Sequence, residues 1–124
     1  MSKEMPSITE AEWELMKVLW KESPLTANEI CTAIQEYEDW KPKTIRTLLD
    51  RLTKKKVVAA NKDLRVYTFT PLYSEHECQR AETQSFIERI YGGTTKSLLV
   101  QFIEDETLTK EELKELREML DKKI

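Results

Sequence analysis

Apolar positions recur with the 3.6-residue period of a helix in six stretches of this chain, and with the two-residue period of a strand in one. The first helix is expected from about Thr9 to Lys21, with Trp13, Met16, Leu19 and Trp20 inward and Leu15 and Val18 widening the stripe. Ser23-Pro24 then breaks it, because a residue before proline is pushed out of the helical region. A second helix runs from about Thr26 to Glu36 with Ile30, Ala33 and Ile34 inward. A third starts near Pro42, a good first helical residue, and runs to about Lys55. Its apolar set, Ile45, Leu48, Leu49 and Leu52, falls at i, i+3, i+4 and i+7. The period then shifts. VVAANKDLRVYTFT alternates and is β-branched and aromatic at its ends, which predicts a hairpin of strands 57–61 and 65–70 closed by Pro71.

Three more helices follow, at about 74–91, 95–104 and 110–122. Gly92-Gly93, the chain's only glycines, should cap or hinge the first of these. Four starts carry a capping box, in which a Thr or Ser cap is answered by a Glu three residues later. These are Thr9/Glu12, Thr26/Glu29, Thr109/Glu112 and, in weaker form, Ser74/Glu77.

Three helices followed by a hairpin is the order of a winged helix-turn-helix, in which the third helix enters the major groove and the hairpin touches the backbone. The expected fold class is mainly α with a small β-hairpin wing. Residues 1–72 would form the winged-helix domain and 73–124 a helical dimerisation domain.

Charge sharpens that expectation. The 124-residue chain has a net charge of −3, but residues 41–65 hold nine basic and two acidic side chains. Overall charge therefore says little about partners, and local charge says much. On the third helix, Lys43, Thr47, Asp50 and Lys54 fall opposite the apolar arc, with Arg46 and Arg51 on its shoulders. An arginine can pair with guanine O6 and N7, and a threonine methyl can pack on a thymine methyl. Lys54, Lys55 and Lys56, and Lys62 and Arg65 of the wing, are better placed for phosphates, which position without specifying. Asp50, four residues from both Arg46 and Lys54, would orient them by ion pairs rather than read a base. The competing reading is an adaptor whose basic face binds an acidic protein.

Other chemistry finds little support. One His, no paired carboxylates in a polar pocket pattern and no glycine-rich phosphate loop argue against an enzyme. His76 and Cys78 stand two apart, so on a helix they face different ways and make no metal site. No cofactor is expected. Cys31 and Cys78 fit reduced thiols, at least one of them partly buried. With no apolar run of about 18 residues and no leader-like start, a cytoplasmic protein is expected.

AEWELMKVLW at 11–20, TANEI at 26–30, KTIRTLL at 43–49, YTFTP at 67–71 and the YGG and KSLLVQF segments at 91–102 resemble the penicillinase-repressor family. This is the BlaI/MecI group, related to the copper-responsive repressors, and the likeness extends to EELKELREML at the end. The resemblance implies a homodimeric repressor of antibiotic-resistance genes that binds palindromic operators. It implies operator reading by Lys43, Thr44, Arg46 and Thr47, backbone contacts from Arg51 and Lys54, and a further one from Tyr67. In antibiotic-responsive members, a membrane-bound sensor metalloprotease is the inducing partner, and cleavage falls between an Asn and a Phe. The aligned pair here is Gln101-Phe102. The family's usual Ser before the helix-three proline is Lys41, which cannot cap but could sit by a phosphate. No Cys follows position 78, so release by copper is not implied; a family repressor answering another stimulus is the alternative. A dimer follows physically as well. The C-terminal segment is too short to bury Phe86, Ile87, Ile90, Leu98, Leu99, Phe102, Leu116 and Leu120 alone, and a symmetric partner would cover them.

Overall fold

A computed structural model describes residues 5–63, 65–92 and 94–124. The chain is mostly helical, with one small antiparallel sheet. Its elements run α1 (Glu10–Lys21), β1 (Leu25–Thr26), α2 (Ala27–Gln35), α3 (Pro42–Lys54), β2 (Val58–Asn61), β3 (Thr68–Pro71), α4 (Glu75–Tyr91), α5 (Thr95–Glu104) and α6 (Lys110–Lys123). Contacts divide it into two units, Met1–Ala81 and Glu82–Ile124, with the division inside α4. Among the described residues no helix is long and apolar enough to cross a membrane.

All four capping boxes form. Thr9, Thr26 and Thr109 each accept from the backbone N–H three residues on, and the Glu there accepts from the cap N–H. Ser74 and Glu77 exchange the same two bonds at 2.9 and 3.1 Å, so the weaker motif is complete too. Each box satisfies two of the backbone donors that a helix start leaves open. The α3 start is the exception: Lys41 makes no side-chain capping bond and Pro42 supplies the first turn.

In the first unit, α1, α2 and α3 pack around one core of Leu15, Met16, Leu19, Ile30, Ile34, Ile45 and Leu52, all fully buried. The α1 stripe is rotated from expectation. Leu15 is fully buried, while Trp13 and Trp20 are only partly so. The indoles lie at the margin, edge to face with centroids 5.3 Å apart, and Trp20 Nε1 donates to the Tyr73 carbonyl at 2.9 Å. A ring with a polar atom settles where that atom finds a partner, so a branched aliphatic takes the centre. On α2, Cys31 takes the buried place expected of Ala33. Both cysteines are buried.

The sheet has three strands in the order β1-β3-β2, one more than expected. Leu25 pairs with Phe69 and Thr26 with Thr68, so the residues that start α2 also extend the wing sheet. The second wing strand starts at Thr68 rather than 65, because Val66 and Tyr67 stand half exposed with no core face to hold them in the ladder. Pro71 closes that strand from within, opposite Val58. Leu64 lies outside the described residues. Gly92 ends α4 at φ +62°, the left-handed position where glycine is unstrained; Gly93 lies outside the described residues.

In the second unit, Ile87 is the buried apolar residue among those described. None of α5 or α6 is buried.

Candidate nucleic-acid interface

Helix α3 has two unlike faces. Ile45, Leu48, Leu49 and Leu52 are buried, while Lys43, Thr44, Arg46, Thr47, Asp50, Arg51 and Lys54 are exposed. Burial of four branched residues fixes the helix on the core, at roughly 1.5–3 kcal/mol each. The connection that aims it is tied as well: Gln35 Nε2 donates to the Trp40 carbonyl at 3.0 Å, just before α3 begins.

The polar face is partly ordered before any ligand arrives. Thr47 Oγ1 donates back to the Lys43 carbonyl at 2.9 Å. Asp50 pairs with Lys54 at 3.5 Å, as expected, but not with Arg46. Arg46 instead reaches across to α2, where its guanidinium donates to Asn28 Oδ1. Sequence reading passed over Asn28. It lies outside every apolar stripe and outside the cap pair Thr26/Glu29, so no pattern marked it. Among the described residues, Lys43 and Arg51 make no ion pair.

Lys55 departs from its neighbours. Its ammonium lies 2.5 Å from Glu12 Oε1 and 2.8 Å from the Ser7 carbonyl, pointing to the core side. Glu12 is completely buried, and its Oε1 also accepts from Thr9 N–H at 2.9 Å. Its Oε2 has no partner among the described residues. Burial pushes the Glu12 carboxyl up, but Lys55 and the Thr9 bonds outweigh it and hold the group below its ordinary value. A phosphate would have to draw Lys55 away from that carboxylate.

Lys56 closes α3 with φ at +64°. Its N–H reaches the Thr53 carbonyl at 3.1 Å, and Val57 N–H reaches Leu52 at 3.0 Å, the paired bonds of a Schellman turn. A glycine sits there without strain, so a lysine in that conformation is a cost the fold carries at its basic corner.

On the wing, Lys62, Arg65 and Tyr67 are exposed, and Lys62 Nζ stands 5.5 Å from the Tyr67 ring centroid. Between α3, the start of α2 and the wing lies a cleft of about 300 Å³. Arg46, Asp50, Lys62 and Tyr67 rim it over apolar Ala27, Leu49, Ala60 and Phe69. Helix face and wing are thus brought to one concave surface.

Of the C-terminal residues, Phe86, Ile90, Leu99, Phe102, Leu116 and Leu120 are exposed, Leu98 is half-buried and Ile87 is already buried within the chain. Val100, Ile103, Leu113 and Met119 are exposed beside them. Gln101 and Phe102 lie exposed on α5, and the Tyr91 hydroxyl donates to Gln101 Oε1 at 2.5 Å.

Comparison with known proteins places this geometry. A penicillinase repressor family profile matches residues 8–122. The penicillinase repressor of Bacillus licheniformis is 39% identical over 119 residues, covering 96% of this chain and 93% of the relative. The methicillin resistance regulatory protein MecI of Staphylococcus aureus (strain N315) is 40% identical over 116 residues, covering 94% of each. The solution structure of the DNA-binding domain of the repressor BlaI matches with a TM-score of 0.53 at 43% identity, over 60% of this chain and 90% of that one. The monomeric form of Bacillus licheniformis BlaI, solved in complex with the blaP half-operator, matches with a TM-score of 0.54 at 42% identity, over 62% of this chain and 93% of that one. With a profile match and relatives along nearly the whole sequence, the chain belongs to the penicillinase repressor family.

Proposed function

We infer that this chain is a DNA-binding transcriptional repressor that binds palindromic operators as a homodimer. The observation that carries the reading is α3 itself, a helix seated on the core by one face and presenting cations and threonines on the other. A relative of the same fold was solved on its half-operator.

Lys43, Thr44, Arg46 and Thr47 reach base edges in the major groove. Arg51, Lys54, Lys62, Arg65 and Tyr67 hold phosphates and set the register. Lys55 is the member of the basic stretch that does not fit this role, because its charge is engaged by Glu12. The segment 73–124 supplies the dimer through its uncovered apolar residues, and Ile87, buried already, contributes support rather than contact.

Induction proceeds by cutting between Gln101 and Phe102, with a membrane-bound sensor metalloprotease as the partner. A bond inside α5 is open to a protease only when that helix unwinds, and no buried α5 residue holds it closed. Loss of the last helix would remove the two-site avidity that keeps a dimer on its operator. Gln101, where the resembled pattern has Asn, favours a second reading in which a stimulus other than a β-lactam releases the same repressor.

The test is selection of a duplex from a randomised pool by the full chain, followed by titration at two salt concentrations. A repressor selects a palindrome and loses affinity steeply with salt. Enrichment of no sequence, or a flat salt response, contradicts the reading. Incubation with the activated sensor and mass mapping of the products tests the cleavage; an intact chain after derepression contradicts it.

A further inference from the structure

The geometry points to Asn28 as a specificity-determining residue that holds Arg46 ready to read a base without neutralising its charge. This rests on the proposed role of Arg46 as a base contact.

Arg46 leaves the shoulder of α3 on a long, flexible stem. Unrestrained, it would have to surrender that freedom at the moment of binding. Asn28, eighteen residues earlier on α2, removes much of the freedom in advance by accepting from the guanidinium. An arginine only donates, so the amide oxygen must be the atom that faces it, and four of its five donors stay available. Asn28 stands on a fixed base. It lies in the first turn of α2, two residues after the Thr26 cap, and its own carbonyl accepts from Thr32 Oγ1 at 3.0 Å.

Two carboxylates stand close enough in sequence to have taken that place, and both are occupied. Asp50, one turn beyond Arg46, is paired with Lys54 at 3.5 Å. Glu29, next to Asn28, is held by the Thr26 N–H at 2.8 Å in the α2 capping box. Arg46 is left with a neutral partner. A carboxylate would hold the guanidinium as firmly, but it would offset the charge that DNA must feel and set a like charge against the phosphates. An amide orients without either penalty.

The test uses the full-length wild type with Asn28→Ala, Arg46→Ala, the double variant and Asn28→Asp. Each is titrated against the selected palindromic duplex and single-base-pair variants of it, after a melting curve shows the fold intact. Asn28→Ala should weaken the selected duplex about tenfold and relax discrimination at the same base pair as Arg46→Ala. In the Arg46→Ala background the same change should alter affinity by less than about twofold. Asn28→Asp should bind more weakly than Asn28→Ala, with the gap closing as salt rises. Equal losses in both backgrounds, unchanged base discrimination, or an Asn28→Asp affinity matching Asn28→Ala would overturn the inference. If Arg46→Ala itself leaves affinity unchanged, the base-contact role fails and the inference falls with it. Loss with Arg46→Ala and none with Asn28→Ala sinks the inference alone.

Discussion

The two units of this chain solve burial in opposite ways. Met1–Ala81 closes a core from three helices and a sheet, buries Glu12 with it, and presents cations and threonines along the outer face of α3. Glu82–Ile124 has three helical segments whose apolar side chains stay uncovered, from Phe86 and Ile90 through Phe102 to Leu116 and Leu120. A run of large apolar residues that one chain leaves in water marks an interaction surface. The first unit seats α3 on its own core. The second leaves an apolar surface that the proposed second copy would cover, and a repressor built this way would be switched by attacking that half.

That contrast is broken most directly at the second unit. Leu116→Asp together with Leu120→Asp should turn the protein monomeric and lower affinity for the selected palindrome by about 100-fold or more, as two-site binding becomes one. Affinity for a half-site duplex should stay within about twofold. Sedimentation and anisotropy check the two parts.

At the first unit, Lys55→Met strips the buried Glu12 of its counter-charge. The variant should lose about 3 kcal/mol in denaturant unfolding. The pH response follows from the Glu12 shift. A carboxyl held below its unfolded value stabilises the fold above that value, and the contribution is lost as pH falls through the folded one. Wild-type stability should therefore drop on acidification below about 4.5, the ordinary value for this group. In Lys55→Met, burial is opposed only by the Thr9 bonds, the Glu12 carboxyl rises, and the acid loss should shrink.

Lys54 and Lys55 are neighbours with opposite assignments, and salt separates them. Lys54→Ala should lower the slope of log affinity against log salt by about 0.9 per protomer. Lys55→Met, which removes the cation, should leave the slope unchanged in the folded variant. A reduced slope there would return Lys55 to the phosphate set.

The smallest effect expected is at Lys56. Its left-handed backbone makes Lys56→Gly stabilising by about 1 kcal/mol. The same change should weaken DNA binding if the ammonium serves the interface, so stability and affinity would move in opposite directions.

Much of this was legible in the sequence. The α3 face could be read because four apolar residues at helical spacing leave only one way to seat a helix, and all four are buried. The helix starts could be read because a capping box is a local contract between two residues, indifferent to tertiary packing. Three things could not be read. The rotation of the α1 stripe depends on where Trp20 finds a hydrogen-bond partner, 53 residues away. The third strand, Leu25–Thr26, is too short to show a period. The inward turn of Lys55 depends on Glu12, which the sequence marked only as half of a capping box. Local signals reveal the elements. Pairings between distant polar residues decide which cations remain free for DNA.

In the proposed repressor, a DNA-reading unit with a complete core is put to work by a second unit that only another copy completes. Sedimentation of the full chain with the selected palindromic duplex tests it most directly. The account predicts two chains of 14.7 kDa per duplex, assembling together and lost together in the Leu116→Asp, Leu120→Asp variant. A single chain bound with full affinity, or a dimer that persists in that variant, would contradict it.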